Sequence, residues 1–316
     1  MLETQGISLI LTKKCNASCR HCGFNSGPGS SETMTEEEAK YYIGSARNLV
    51  SLKMVSFTGG EPFLYYPLVY EAMSFARALG LTSEIVSNSF WAFSYAEAHG
   101  KLRKLREMGL VNYVTSLDDF HIEFIPMNSI HNAINAAYDL GLKVTVKTLE
   151  YESAVIKSKD IAALLNITPN DRFVLQRLTP VHEGRAKGIA GFKTDNLNST
   201  NINFLGGCDK IIKFPAVEPT GNLFPCCGFG NGARLAGNGL SEDFYELLVR
   251  MQNNLLFNLL ATAGPLEIYR RVKERMPQLQ EPIFSNPCEM CNYLYGSEEV
   301  GGAVYQVMQD LIRAVP

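Results

Sequence analysis

Three thiols within eight residues, in Cys15-Asn16-Ala17-Ser18-Cys19-Arg20-His21-Cys22, constrain this chain more than any other feature. They follow directly on the apolar run 7–11. Soft thiolate ligands select iron–sulfur clusters or zinc, and tetrahedral zinc requires a fourth protein ligand. His21 can supply that ligand in a Cys3His loop. The alternative is a [4Fe–4S] cubane held through three irons by Cys15, Cys19 and Cys22, its fourth iron open to a small chelating ligand. Eight cysteines in a chain with no expected secretory signal argue for metal ligation in a reducing cytoplasm rather than for disulfides.

Residues 7–11 read as a buried strand, and 23–33, rich in Ser, Gly and Pro, as a surface loop. Thr35-x-x-Glu38 predicts a capping box opening a helix to about residue 50, with Ala39, Tyr42, Ile43 and Ala46 on its apolar face. A second strand at 53–58 runs into Thr58-Gly59-Gly60-Glu61-Pro62. Two glycines there let the backbone pass close to a ligand, and Glu61 can receive an ammonium group; a tight turn with a solvated Glu is the alternative. Further strands are predicted at 82–87, 111–117, 143–149 and 172–178. Helices are predicted from Pro67 to Gly80, from a Ser94 cap to Met108, over 129–140 and over 160–165.

This alternation predicts an α/β fold of six parallel βα units. In such folds the chemistry gathers at the carboxyl ends of the strands. Each polar cluster falls at such an end: Cys15–Cys22, Gly59–Pro62, Ser87-Asn88, Ser116–His121 and Lys147. The 316 residues suffice for one large domain, or one with a smaller companion. A net charge of −3 leaves no electrostatic footprint for nucleic acid or an anionic membrane, and the apolar run 255–263 is too short to span a bilayer.

The βα rhythm stops before an Asn-rich stretch at 194–203 that reads as a linker. The expected division is 1–195 and 196–316. Five further cysteines lie beyond it: Cys208, Cys226, Cys227, Cys288 and Cys291.

C-x3-C-x2-C, followed about forty residues later by Thr58-Gly59-Gly60-Glu61-Pro62, resembles the radical SAM enzymes over residues 5–190. The resemblance implies a partial (β/α)6 TIM barrel, a [4Fe–4S] cluster on Cys15, Cys19 and Cys22, and S-adenosylmethionine (SAM) on the open iron. It also implies an electron donor of flavodoxin or ferredoxin type. His21 stands where the family places an aromatic ring against adenine. Gly59, Gly60 and Glu61 would hold the methionine amine. Ser87, Asn88, Ser116 and Asp118 lie where ribose and carboxylate are contacted, with Lys147 at a neighbouring strand end. His121 and Glu123 fall further out, toward substrate. Thr179–Ala186 resembles a P-x-G-R-A turn whose Arg, here Arg185, approaches SAM. An ordinary loop cap is the alternative for each of these polar residues.

Cys208-x12-Gly221-x4-Cys226 resembles the opening of the SPASM and twitch auxiliary-cluster domains, with a hairpin turn at the Gly. Cys208, Cys226, Cys288 and Cys291 then make four ligands for one auxiliary [4Fe–4S] cluster in a smaller C-terminal domain. Such a saturated cluster suits electron transfer; a four-thiolate zinc site is the alternative. One thiol, Cys227, is left over. It is either a small buried hydrophobe or a hydrogen-atom donor to a substrate radical.

The stretches CNASCRHCGF, VSFTGGEPFL, SNSFW, PCC and CEMC resemble the radical SAM peptide epimerases of the epipeptide-maturing type. That resemblance implies conversion of L- to D-residues in a ribosomally made precursor peptide. Cys227 would be the thiol donor and Asp209 its acidic neighbour. The precursor would bind at the barrel mouth and C-terminal region, by strand addition. Peptide thioether formation of the sactionine type and a twitch-type dehydrogenation are the alternative reactions. Neither needs a hydrogen donor.

Overall fold

Strand β1 (Gly6–Thr12) is buried along its whole length, with β2 (Met54–Gly59) parallel on one side and β7 (Ala216–Val217) parallel on the other. Beyond β2 come β3 (Thr82–Val86), β4 (Leu110–Ser116), β5 (Lys143–Leu149) and β6 (Phe173–Leu178), all parallel. Beyond β7 lie β8 (Asn222–Phe224) and β9 (Gly237–Asn238), paired antiparallel. The sheet order is β6-β5-β4-β3-β2-β1-β7-β8-β9, open rather than closed into a barrel. This computed structural model describes residues 2–178, 183–189, 206–226, 235–279, 284, 286–296 and 298–313. All six expected βα strands are present, their ends within one residue of expectation.

The helices of this half are α1 (Glu36–Arg47), α2 (Tyr66–Ala78), α3 (Tyr95–Glu107), the single turn α4 (Asp119–Ile122), α5 (Met127–Asp139) and the short α6 (Ile161–Leu164). Thr35 closes the expected capping box: its Oγ1 accepts from the Glu38 N–H at 3.1 Å, and the Glu38 carboxylate accepts from the Thr35 N–H at 2.7 Å. Ala39, Tyr42, Ile43 and Ala46 are fully buried, as their spacing predicts. Strand alternation splits the sheet into two faces. Val55, Phe57, Val144 and Val146 belong to the apolar core, whereas Thr58, Lys147 and Leu149 line a cavity.

The second half does not begin a new sheet. The β7–β8 hairpin turns at Gly221, whose φ of +83° favours glycine, and extends the sheet of the first half. The expected boundary at 195/196 and the expected linker at 194–203 lie outside the described residues. Among the described residues five helices that were not anticipated follow: α7 (Phe244–Gln252), α8 (Leu255–Thr262), α9 (Gly264–Arg275), α10 (Pro287–Gly296) and α11 (Glu298–Arg313). The ring of Phe244 lies 4.7 Å from that of Tyr42, which fastens α7 to α1. Among the described residues no helix is long and apolar enough to cross a membrane.

Candidate active site

The chain leaves β1 through a loop that its own backbone pins in place. Cys15 N–H donates to the Gly27 carbonyl at 3.1 Å, Gly27 N–H to the Lys13 carbonyl at 3.3 Å, and Cys22 N–H to the Cys19 carbonyl at 3.1 Å. Cys15 and Cys19 are buried and Cys22 is half-buried. Burial pushes the Cys15 thiol up to about 11 and that of Cys19 to about 12, while the guanidinium of Arg185 opposes both shifts. Thiols so placed give up their protons when metal cations take over the charge.

Close backbone approach by itself requires glycine at positions 59 and 60. A Cβ on Gly59 would lie 2.4 Å from the Thr12 carbonyl oxygen, and one on Gly60 would lie 2.2 Å from that of Lys14. The strand-two exit thus passes hard against the strand-one exit. Gly60 N–H donates to Thr12 at 2.6 Å and Glu61 N–H to Lys14 at 2.9 Å. Both glycines also face the cavity.

Glu61 stands behind the cavity wall rather than on it. It is fully buried, and its Oε1 accepts from Phe63 N–H at 3.0 Å and Ser87 Oγ at 2.9 Å, its Oε2 from Asn88 N–H at 2.7 Å. The carboxylate joins the β2 exit to the β3 exit, and its side chain, expected at the methionine amine, does not line the cavity. Burial raises its pKa to about 7 against the pull of those donors. Ser87 Oγ accepts from Trp91 Nε1 at 2.9 Å and from Ser89 N–H at 3.1 Å. Ser89 occupies the left-handed region, φ +69°, held by contacts of 2.7 Å from its hydroxyl to Tyr113 Oη and to Thr115 Oγ1. Asn88 reaches forward, donating from Nδ2 to Asn16 Oδ1 at 2.9 Å, with Cys15 Sγ at 3.7 Å. Sequence reasoning matched SNSFW without finding what Ser89 and Trp91 do.

Asp118 is likewise buried behind the wall. It caps α4 through the Phe120 and His121 N–H groups at 3.1 Å each and contacts His121 Nδ1 at 2.9 Å. Burial alone would raise its carboxyl; the charge and hydrogen bond of His121, with His21 and the helix N–H beside them, hold it at about 2. The His21 ring lies 4.9 Å from both Phe120 and His121. Burial drops its pKa to about 4, so the imidazole is neutral near pH 7. Asp119, also missed, accepts from Tyr151 Oη, Val155 N–H and Ile156 N–H at 2.7 to 3.0 Å, drawing the loop after β5 over the site.

Arg185 sits on a 3₁₀ turn, Gly184–Gly188. Gly184 has φ +55°, and a Cβ there would lie 2.5 Å from the Cys22 carbonyl oxygen. Arg185 Nε donates to the Cys19 carbonyl at 3.0 Å, and its Nη2 is buried with no hydrogen-bond partner among the described residues. Glu183 before it accepts from Asn292 Nδ2 on α10 at 2.6 Å.

These elements enclose one cavity of about 240 Å³. Cys15, Cys19, Cys22 and His21 line it from the loop; Gly59, Gly60, Ser87, Asn88, Ser116 and Lys147 from the strand exits; His121 and Arg185 from the flanks. Of the expected cofactor residues, Glu61 and Asp118 are the two that do not reach it. Glu123, expected toward substrate, pairs with Arg20 at 3.1 Å. Asp209 has its side chain 75% exposed, paired with Lys210, and is no part of the wall. Cys208, Cys226 and Cys291 are half-buried against the core and Cys288 is exposed. Cys227, Thr179 and Pro180 lie outside the described residues.

Residues 9–174, more than half of the chain, match the Radical SAM superfamily. The chain belongs to that superfamily. Radical SAM enzymes carry a [4Fe–4S] cluster and SAM, and the cavity fits both. Three thiols of one loop face it, a neutral aromatic ring stands beside them, and the partnerless guanidinium nitrogen of Arg185 suits a carboxylate. The chain is 24% identical to the provisionally named peptide biosynthesis protein YydG of Bacillus subtilis (strain 168), over 96% of each chain. Its fold resembles SuiB of Streptococcus suis bound to precursor peptide SuiA, with a TM-score of 0.52 at 15% identity over 82% of this chain and 65% of that one. SuiB bound to S-adenosylmethionine gives 0.50 at 14% identity, over 78% and 65%.

Proposed function

We propose that this radical SAM protein is a peptide epimerase, converting L- to D-residues in a ribosomally made precursor peptide. The thiol arithmetic carries the reading. Seven of eight cysteines fill two ligand sets, Cys15, Cys19, Cys22 and Cys208, Cys226, Cys288, Cys291, and Cys227 is left as a free S–H beside a ligand. Similarity to a peptide biosynthesis protein over nearly the whole chain supports a peptide substrate.

When bound, the cluster and SAM supply a carbon-centred radical able to remove a Cα hydrogen. The chain's own residues do the rest. Arg185 and Lys147 offer cations to the SAM carboxylate, and His21 offers its neutral ring to the adenine. Ser87, Asn88 and Ser116 present hydrogen-bonding groups from the strand ends. Cys227 then delivers hydrogen to the opposite face of the planar Cα radical. Its S–H bond breaks as the new C–H bond forms. One electron from a flavodoxin or ferredoxin and one proton from solvent restore the thiol; a cluster held by Cys208, Cys226, Cys288 and Cys291 would supply electron-transfer chemistry beside it.

Turnover in deuterated water tests the proposal. Product from the wild type should gain one deuterium at Cα, while Cys227→Ala should still cleave SAM and yield no D-residue. Normal epimerisation by Cys227→Ala would overturn the donor assignment.

A further inference from the structure

β6 is the last strand of the sheet, and among the described residues nothing pairs with its outer edge. Val144 N–H donates to the Arg172 carbonyl and Glu150 N–H to the Leu178 carbonyl, in a register that pairs Lys147 with Gln176. In a parallel ladder, alternate residues turn both backbone groups to the neighbour. Residues 174, 176 and 178 therefore bond to β5. Leu175 and Arg177 direct N–H and C=O outward, toward no strand among the described residues.

This edge runs into the active cavity. Leu178, the last residue of β6, lines it beside Lys147 and Leu149. Edge strands are commonly guarded by a charge, and Arg177, its side chain 59% exposed and 3.5 Å from Glu150, is the single charged residue on this one. Within the strand itself there is no other guard: β6 holds no proline, no glycine and no irregularity in its pairing.

We propose that an extended segment of the precursor peptide adds to the outer edge of β6, bonded to the backbone of Leu175 and Arg177, and passes its reacting residue beyond Leu178 into the cavity. The inference rests on the peptide substrate proposed above. A reaction at Cα acts on the one part of every residue that a backbone ladder positions directly. Strand addition would set the reacting residue by register and leave side-chain choice to the cavity.

Arg177→Pro tests this. Proline is tolerated on an edge where its missing N–H faces outward, and the preceding Gln176 is already extended. The substitution removes one docking donor and spares the β5 ladder. Arg177→Ala removes the side chain and keeps the N–H. Peptides of about ten residues, the upper length of an ordinary strand, would be selected from an mRNA-displayed library on the cluster- and SAM-loaded wild-type enzyme.

The selected peptides should bind Arg177→Pro at least about tenfold more weakly, and Arg177→Ala within about threefold of wild type. They should also slow amide exchange at Leu175 and Arg177. Peptide-independent SAM cleavage, equal in all three proteins, shows that Arg177→Pro is folded. Peptides that bind Arg177→Pro as tightly as wild type overturn the docking site. If those same peptides still gain Cα deuterium, epimerisation stands without it. Peptides that dock on β6 and gain no deuterium overturn the reaction and leave the docking. A selection that enriches no peptide overturns both.

Discussion

Arg185 donates from Nε to the carbonyl oxygen of Cys19 at 3.0 Å, across 166 positions of sequence. The bond ties the turn after the parallel strands to the loop that carries the three thiols. It also leaves Nη2 of the same guanidinium buried, with no partner among the described residues, where an anion could meet it.

Arg185→Ala should therefore weaken SAM binding by roughly ten- to a hundredfold, the range of a lost charged hydrogen bond. Arg185→Lys should recover only part, because a lysine cannot hold the Cys19 carbonyl and an anion with one planar fork. Isothermal titration of the anaerobically reconstituted proteins measures both. Wild-type affinity in Arg185→Ala would remove Arg185 from the SAM site.

Gly59→Ala should cost more than about 3 kcal/mol and block cluster assembly, since its Cβ would lie 2.4 Å from a backbone oxygen. Gly100 in α3 has open space around its Cβ position, so Gly100→Ala should stabilise by about 0.5–1 kcal/mol. Urea unfolding distinguishes these opposite signs.

Glu61 predicts a pH dependence of stability. Its folded pKa, about 7, lies above the ordinary 4.5. The unfolded chain thus loses its proton first, and stability falls as pH rises from 4.5 to 7, by on the order of 3 kcal/mol. Asp118 acts oppositely at the acid end: held at about 2 from 3.8, it contributes stability above pH 3.8 that is lost as pH falls toward 2. Unfolding free energies of wild type and Glu61→Gln between pH 4 and 8 should differ in slope. Parallel curves would show that Glu61 does not titrate there.

Trp91 is the one tryptophan of the chain. It is buried, stacks on Phe63 at 3.9 Å, and bonds to Ser87 Oγ, whose residue lines the cavity. Adding SAM to the reconstituted enzyme should change Trp91 emission saturably. The change should vanish in Phe63→Leu/Trp91→Phe, where only tyrosine emits.

Iron content tests the second ligand set. The reconstituted wild type should carry about eight irons per chain, and the Cys15/Cys19/Cys22→Ala variant about four. A wild-type value near four would remove the auxiliary cluster on Cys208, Cys226, Cys288 and Cys291.

Much of the site was legible because parallel βα units send every strand exit to one end. Ser87, Asn88, Ser116 and Lys147 lie far apart in sequence, yet topology alone places them round one cavity. The five C-terminal helices were missed although α7 carries a plain signal: an Asp243 cap, then buried Phe244, Leu247, Leu248 and Met251 at helical spacing. That helix lies beyond the last βα unit, where no strand pattern frames it.

Local chemistry in the sequence determined the three-thiol loop, the strand ends within a residue, and the caps at Thr35 and Ser94, because each depends on neighbours a few positions away. Tertiary structure alone decided what the two carboxylates at the strand exits do. Glu61 and Asp118 turn from the cavity because buried donors, Asn88 and Ser87 for one and His121 for the other, are brought to them by separate strands and turns. It also decided why Gly59 and Gly60 are glycines: two strand exits cross there at backbone distance, and no spacing within one strand reveals how near the next one passes.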